Sequence, residues 1–190
     1  MKLAENLGPP VFLQSFPCSM PVHKITIIII ILVSKKPAKL IVFQFKLLHR
    51  RIPTDDFLLK IGRKENDNCT VCNNSSETLI HLFWSCHVTS SFWKSVTDWL
   101  QKALPFFWQI QLIEHTALGL RPELHSTKYS CQLNYCLLLA RFHIWQTKMD
   151  EISPNFANFL RLVKSRSIIE KKAGDTKKWN FLTHCSKYSS

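Results

Sequence analysis

Three cysteines and a histidine crowd into one short segment, CTVCNNSSETLIHLFWSC, with the spacing C-x2-C-x8-H-x4-C. The four residues are Cys69, Cys72, His81 and Cys86. A C-x2-C turn can present two thiolates to one ion, and a second pair downstream can complete a tetrahedral shell of the kind that zinc prefers. The spacing therefore predicts one Zn²⁺ bound by a Cys3His set. A full protein shell leaves no position for water, so this zinc is predicted to be structural and not catalytic.

Helix geometry adds a condition to this prediction. If His81 lies on a regular helix, Cys86 is about 140° further round the axis, so the two side chains cannot face the same ion. We therefore expect the helix to unwind near Trp84 or Ser85, which lets Cys86 fold back. His87 stands next in the sequence and remains an alternative fourth ligand.

The other cysteines do not form a comparable group. The chain has seven cysteines in all, an odd number, and its N-terminus lacks the pattern of a secretory signal peptide. These features favour a reducing, intracellular compartment, nuclear or cytoplasmic, over a disulfide framework. We interpret the four that lie outside the segment as ordinary packed thiols: Cys18, Cys131, Cys136 and Cys185.

Large apolar side chains surround the Cys/His segment, and two roles are open to them. They are Leu79, Leu82, Phe83, Trp84, Phe92 and Trp93. Packing of the zinc loop on the following helix is the favoured role, and stacking on nucleic-acid bases is the alternative. Exposure of Trp84 or Trp93 would favour stacking.

Helical patterns account for most of the chain after residue 34. Two helices are predicted before the cluster, one over 38–50 and a short one that Thr54 caps and Gly62 ends. Three follow it, the first running from Val88 to Pro105, the second over 129–148 and the last to about Gly174, with Ser153 as its N-cap. No alternating strand pattern survives beyond residue 34, so the predicted class is all-α, a small helical domain with a zinc-knuckle-like Cys3His loop between its helices.

Residues 1–34 differ in composition from the rest and are predicted to be a weakly ordered, foreign segment. The domain is predicted over 35–182, with a disordered tail over 183–190. The apolar stretch ITIIIIILV, residues 25–33, would make a helix of only about 14 Å, which cannot cross a hydrocarbon core of roughly 30 Å. No transmembrane span is expected, so a membrane-associated function is the weakest reading.

Positive charge flanks the cluster and is not within it. Segment 35–64 carries nine basic and two acidic residues, segment 161–190 eight and two, and segment 65–134 four and six. Such a distribution, in a chain of net charge +12, favours a polyanionic partner, although single lysines often only solvate helix faces. The candidate nucleic-acid contacts are Lys46, Arg50, Arg51, Lys60, Arg63, Lys64, Lys171, Lys172, Lys177 and Lys178.

The segment FQFKLLHRRIPTDDFLLKIGRKENDNCTVCNNSSETLIHLFWSCHVTSSFWKSVTDWL closely resembles a known family. It is similar to the zinc-binding region that follows the polymerase in reverse transcriptases of LINE-type non-LTR retrotransposons. LLLARFHIWQTK and the KKW at Trp179 extend the likeness to roughly residues 36–182. The resemblance implies that Cys69, Cys72, His81 and Cys86 are zinc ligands, and that the region assists binding of template RNA or target DNA.

The chemistry of a polymerase is not expected in this chain. Only 34 residues of a different character precede the region that resembles the family. Asp55 and Asp56 follow Pro-Thr at a helix start, where capping and the helix dipole explain them better than catalytic metal binding does. No glycine-rich phosphate loop is present. We therefore expect a protein that is not an enzyme and has no small-molecule substrate.

Two functions remain open at this stage. The first is a retrotransposon-derived zinc module that binds RNA or DNA non-specifically through its basic segments. The second is a structural remnant or protein-interaction domain, in which zinc only stabilises the fold.

Overall fold

Five α-helices and one π-helical turn make up the described part of the chain. The structure is a computed structural model, and it describes residues 37–103, 130–174 and Trp179. In chain order the elements are α1 (Ala38–Leu48), α2 (Asp55–Lys60), the π-helical turn (His81–Ser85), α3 (His87–Ala103), α4 (Ser130–Met149) and α5 (Phe156–Lys172). No strand occurs among these residues, and the all-α prediction is confirmed.

Helix α1 is short, and its buried residues lie on one face. Leu40, Phe43, Gln44 and Leu47 are buried, at positions three or four residues apart that share a side of a helix. The helix ends two residues earlier than predicted, because the chain turns sharply at Arg50, whose φ is +52°. This turn leads to the buried side chain of Ile52.

Helix α2 begins after Thr54 as predicted, but the threonine side chain does not cap it. The backbone N–H of Asp55 instead donates to Oε1 of Glu77 at 3.1 Å. The C-terminal prediction is confirmed, since Gly62 adopts φ +67° and its N–H donates to the carbonyl of Leu59. Glycine is favoured there because a side chain is strained in that conformation.

Helix α4 is the centre of the bundle. It packs against α1, α3, α5 and the π-helical turn. Every residue from Leu133 to Ile144 is buried, so the helix lacks the polar face of a surface helix. Leu133, Leu137, Ala140 and Ile144 are fully buried.

Helix α3 covers one side of α4 with the buried side chains of Phe92, Val96 and Leu100. These three positions are four residues apart, so they lie on one face of the helix. Trp93 is also buried, and its Nε1–H donates to the carbonyl of Phe83 at 2.7 Å. That hydrogen bond ties α3 to the π-helical turn.

The start of α5 corrects a prediction. Asn155 is the N-cap, and its side chain accepts hydrogen bonds from the N–H groups of Ala157 and Asn158. Ser153 therefore lies before the cap, and Pro154 is not in the helix. Further along, Phe159 and Val163 pack in the core as expected.

Near its C-terminus, α5 binds Trp179, the one described residue after Gly174. The carboxylate of Glu170 accepts a hydrogen bond from Nε1 of Trp179 at 3.0 Å and another from the hydroxyl of Tyr135. Burial and this carboxylate raise the pKa of Tyr135. Trp179 is fully buried against the Tyr135 ring, so the KKW sequence places a core residue next to its lysines.

Several predictions lie outside the described residues. They concern residues 1–34, Pro105 as the end of a helix, the tail over 183–190, Cys18, Cys185 and the side chain of Cys131. Within the described part of the chain, no helix is both long and apolar enough to cross a bilayer.

Candidate metal centre

A tight loop carries the first two cysteines. Its base is closed by backbone hydrogen bonds from Glu77 to Asp67, at 2.6 Å, and from Cys69 to Ser75, at 2.8 Å. At its tip the N–H of Asn73 donates to the carbonyl of Cys69 at 2.7 Å, and Asn73 adopts φ +54°. Asparagine tolerates this left-handed conformation better than most residues do. The turn therefore brings Cys69 and Cys72 to the same side of the loop.

The π-helical turn supplies the second pair. The chain becomes helical at Leu79, continues as a π-helix over His81–Ser85 and then turns extended at Cys86, with ψ 129°. The N–H of Cys86 donates to the carbonyl of His81, five residues back, at 2.9 Å. A π-helical turn is rare and is often found at functional sites. The prediction that the helix unwinds near Trp84 or Ser85 needs correction: both residues stay in the π-helix, whose wider turn replaces the regular α-helix, and the chain becomes extended at Cys86 itself.

The four side chains converge. The Sγ atoms of the three cysteines and a ring nitrogen of His81 all lie within 4.8 Å of one another. One polar contact within the group joins Cys72 Sγ and His81 Nε2 at 3.2 Å. Zinc bond lengths place ligand atoms about 3.5 to 3.8 Å apart in a tetrahedral shell. Small side-chain movements would therefore complete a single zinc site from this donor set.

Burial differs among the four residues and affects their proton affinity. Cys69 and Cys86 are fully buried, and burial raises the pKa of the Cys69 thiol to about 12. Burial also opposes ionisation of Cys72, but hydrogen bonds from the Asn74 backbone and from Cys69 lower its pKa overall. Burial lowers the pKa of His81, which favours the neutral imidazole that a metal requires.

His87 does not join this group. Its side chain is exposed at the start of α3, whereas Cys86 is fully buried and lies among the other three ligand atoms. Among the described residues, the four-residue group is the one set of His, Cys, Asp and Glu side chains that could hold a metal ion.

The aromatic residues near the cluster belong to the core. Trp84 and Trp93 are 9% and 7% exposed, and Phe83 is fully buried against Phe43 and Trp84. Buried rings cannot stack on bases, so the packing interpretation is confirmed for them. Leu82, Phe83 and Trp84 follow His81 directly, and their burial anchors the π-helical turn, which packs against α4.

Residues 18–93 match the model of a family described as zinc-binding in reverse transcriptase. This match supports a reverse transcriptase zinc-binding domain over residues 18–93. The match contains all four residues of the Cys3His group and ends within α3, at Trp93. Neither the curated proteins nor the solved structures contain a match to the chain. A zinc-binding domain is distinct from the catalytic polymerase domain of these proteins.

A buried charge cluster lies beside the Cys3His group. It is formed by Asp55, Glu77 and Lys148, with Lys64 at its edge. Lys148 Nζ lies 2.8 Å from Asp55 Oδ1 and 2.9 Å from Glu77 Oε1, and Lys64 Nζ lies 2.5 Å from Asp55 Oδ2. Burial opposes ionisation of Asp55, but the two lysines lower its pKa. Burial likewise acts against the charge of Lys148, yet the two carboxylates raise its pKa. Asp55 and Lys148 are therefore charged at neutral pH.

Sequence reasoning missed this cluster. It assigned Asp55 to the helix dipole, and Lys148 only marked the end of a helical pattern. Glu77 was given no role, and no local signal reveals that its side chain reaches α2 and α4. Contacts over such sequence distances, 93 residues for Asp55 and Lys148, are set by the fold.

The predicted nucleic-acid contacts lie in different surroundings. Lys46, Arg50, Arg51, Arg63 and Lys172 are exposed, and Lys171 is half-buried. Two others are engaged by carboxylates, Lys60 by Asp56 at 2.9 Å and Lys64 by Asp55. Lys177 and Lys178 lie outside the described residues.

Proposed function

We propose that Cys69, Cys72, His81 and Cys86 coordinate one structural zinc ion, and that the domain so formed binds RNA or DNA through its basic surface. The observation that carries the first part is the convergence of the four ligand atoms within 4.8 Å. A zinc shell of this type contributes on the order of 10 kcal/mol to the folding of small units. The ion would hold the loop of Cys69 and Cys72 to the π-helical turn.

Exposed basic residues at the end of α1 support the second part of the proposal, the binding of RNA or DNA. Lys46 and Arg51, at the C-terminal end of α1, are exposed, and Arg50 lies between them in the same turn. Exposed cations of this kind attract phosphates without selecting a sequence. The ring of Phe45 is 49% exposed beside Lys46 and lies 4.2 Å from the His49 ring, centroid to centroid. Exposed aromatic rings among cations suit unpaired bases, so a single-stranded probe is appropriate.

We also propose that the domain is not catalytic and derives from a LINE-type element. Asp55 is buried between Lys148 and Lys64, and Asp56 pairs with Lys60, so both carboxylates have structural partners that explain them without a catalytic metal. Cys69, Cys72 and Cys86 form no disulfide, which fits a nuclear or cytoplasmic location.

Nucleic-acid binding is tested with single-stranded RNA and DNA oligonucleotides at two salt concentrations. We expect binding at low salt that weakens as salt rises, because phosphate contacts release counterions. In the double variant Lys46→Gln/Arg51→Gln, the slope of log affinity against log salt should decrease by about 1 for each contact removed.

The matched control removes two exposed lysines of α3, Lys94→Gln and Lys102→Gln, which lie outside the basic segments. Its affinity and salt slope should stay close to those of the wild type. Equal losses in the two variants would show that only net charge matters. No binding at low salt by the zinc-loaded protein would reject the proposal and leave the structural-remnant function.

A further inference from the structure

The carboxylate of Glu77 links the Cys69–Cys72 turn to two helices. Its Oε2 accepts hydrogen bonds from the N–H of Thr70, at 3.1 Å, and from the Thr70 hydroxyl, at 2.8 Å. Thr70 lies between Cys69 and Cys72 in the sequence, so Glu77 fixes the backbone of the turn that carries both thiols. Its Oε1 accepts from the N–H of Asp55, the first residue of α2, and from Lys148 on α4.

Lys148 is the buried positive charge that makes this arrangement favourable. Asp55, Glu77 and Lys148 are 1%, 0% and 6% exposed. A carboxylate so deeply buried is strongly disfavoured unless a counter-charge and hydrogen bonds compensate. Without the Lys148 ammonium group, the carboxylates of Asp55 and Glu77 would repel each other in a medium of low dielectric. Glu77 would then be driven from the position in which it accepts from Thr70.

We propose that Lys148 is a positioning residue for the zinc site, which it supports through Glu77 and Thr70 without contacting the ion. This inference rests on the proposed zinc coordination. It also implies that the zinc-binding unit extends beyond the family match, which ends at residue 93, to include α4. Groups that orient metal ligands in this way typically change metal affinity by about 10- to 100-fold.

The test compares zinc affinities by competition with a chromophoric chelator. Lys148→Met keeps the length of the apolar stem and removes the charge, and we expect its affinity to fall about 10- to 100-fold. Lys60→Met makes the same substitution in an exposed ion pair on α2, where the side chain is 69% exposed. That control should stay within about 2-fold of the wild type, because surface pairs contribute little.

A second variant tests the same path without altering a charge. Thr70→Val removes the hydroxyl that donates to Glu77 and keeps the backbone N–H. Its zinc affinity should fall by roughly 3- to 10-fold, near the lower end of what outer-shell groups contribute. In the double variant with Lys148→Met, the combined loss should be smaller than the product of the single losses, because both act through one carboxylate.

A merely structural role for Lys148 makes a different prediction. In that case the variant would lose equal stability with and without zinc, and the absorption spectrum of the Co²⁺-loaded protein would match that of the wild type. Wild-type zinc affinity in both Lys148→Met and Thr70→Val would overturn the inference. If Lys148→Met does not fold, Thr70→Val alone decides, with unchanged affinity again overturning it. A wild-type protein that binds no zinc would instead refute the proposed coordination.

Discussion

Replacing Cys86 with serine is expected to abolish stable zinc binding and to unfold the loop that carries Cys69 and Cys72. Cys86 is fully buried where the π-helical turn ends, and its Sγ is one of the four converging ligand atoms. Removal of one ligand should weaken zinc by more than the roughly 100-fold that outer-shell changes reach. Because binding free energy of this kind is folding free energy, the thermal midpoint should fall with the zinc content.

Cys136→Ser is the matched control for this experiment. Cys136 is also a fully buried thiol, but it lies on α4 and outside the Cys3His group. This control should retain one equivalent of zinc, and any loss of stability should be the same in the presence and absence of a chelator. Retention of full zinc content by Cys86→Ser would show that another residue, such as His87, completes the shell.

Replacing Phe83 with alanine should destabilise the zinc-loaded protein by about 3 to 5 kcal/mol, the usual cost of truncating a buried aromatic residue. The ring is fully buried in the π-helical turn, 6.2 Å from the ring of Phe43 and 5.5 Å from that of Trp84, centroid to centroid. A cavity there would loosen the turn that presents His81. Urea denaturation with excess zinc measures the change, because saturation keeps the metal from dissociating before the fold opens.

Phe57→Ala on α2 serves as the comparison, since that ring is 36% exposed. It should cost less than about 1 kcal/mol, as surface substitutions generally do. A Phe83→Ala variant that kept its stability and lost only nucleic-acid affinity would contradict the packing role. It would restore the base-stacking role for the aromatic residues of this segment.

Local signals predicted the parts of the fold that depend on neighbouring residues. The apolar spacing of Phe92, Val96 and Leu100 identified α3, and Gly62 marked the end of α2 because only the local backbone conformation is involved. The convergence of the Cys3His group was equally accessible. Its first pair lies in one tight turn, and the change of direction before Cys86 follows from the angular spacing of helical residues.

The helix starts that the sequence predicted wrongly are determined by tertiary contacts. Ser153 and Asn155 are both good N-cap residues, and the chain uses Asn155, whose carbonyl also lies 3.1 Å from Nε2 of His143 on α4. Thr54 stands at an N-cap position, but the carboxylate of Glu77 takes over the capping hydrogen bond. The local sequence does not predict either cap, because both depend on residues that are distant in the sequence and come close only in the folded chain.

The central claim is a single zinc ion bound by three thiolates and one imidazole. Metal analysis combined with X-ray absorption at the zinc edge of the purified protein tests it most directly. The account predicts one zinc per chain, with three sulfur ligands at about 2.3 Å and one nitrogen ligand at about 2.0 to 2.1 Å. A protein that purifies and folds without zinc, or a zinc shell with fewer than three sulfur atoms, would contradict it.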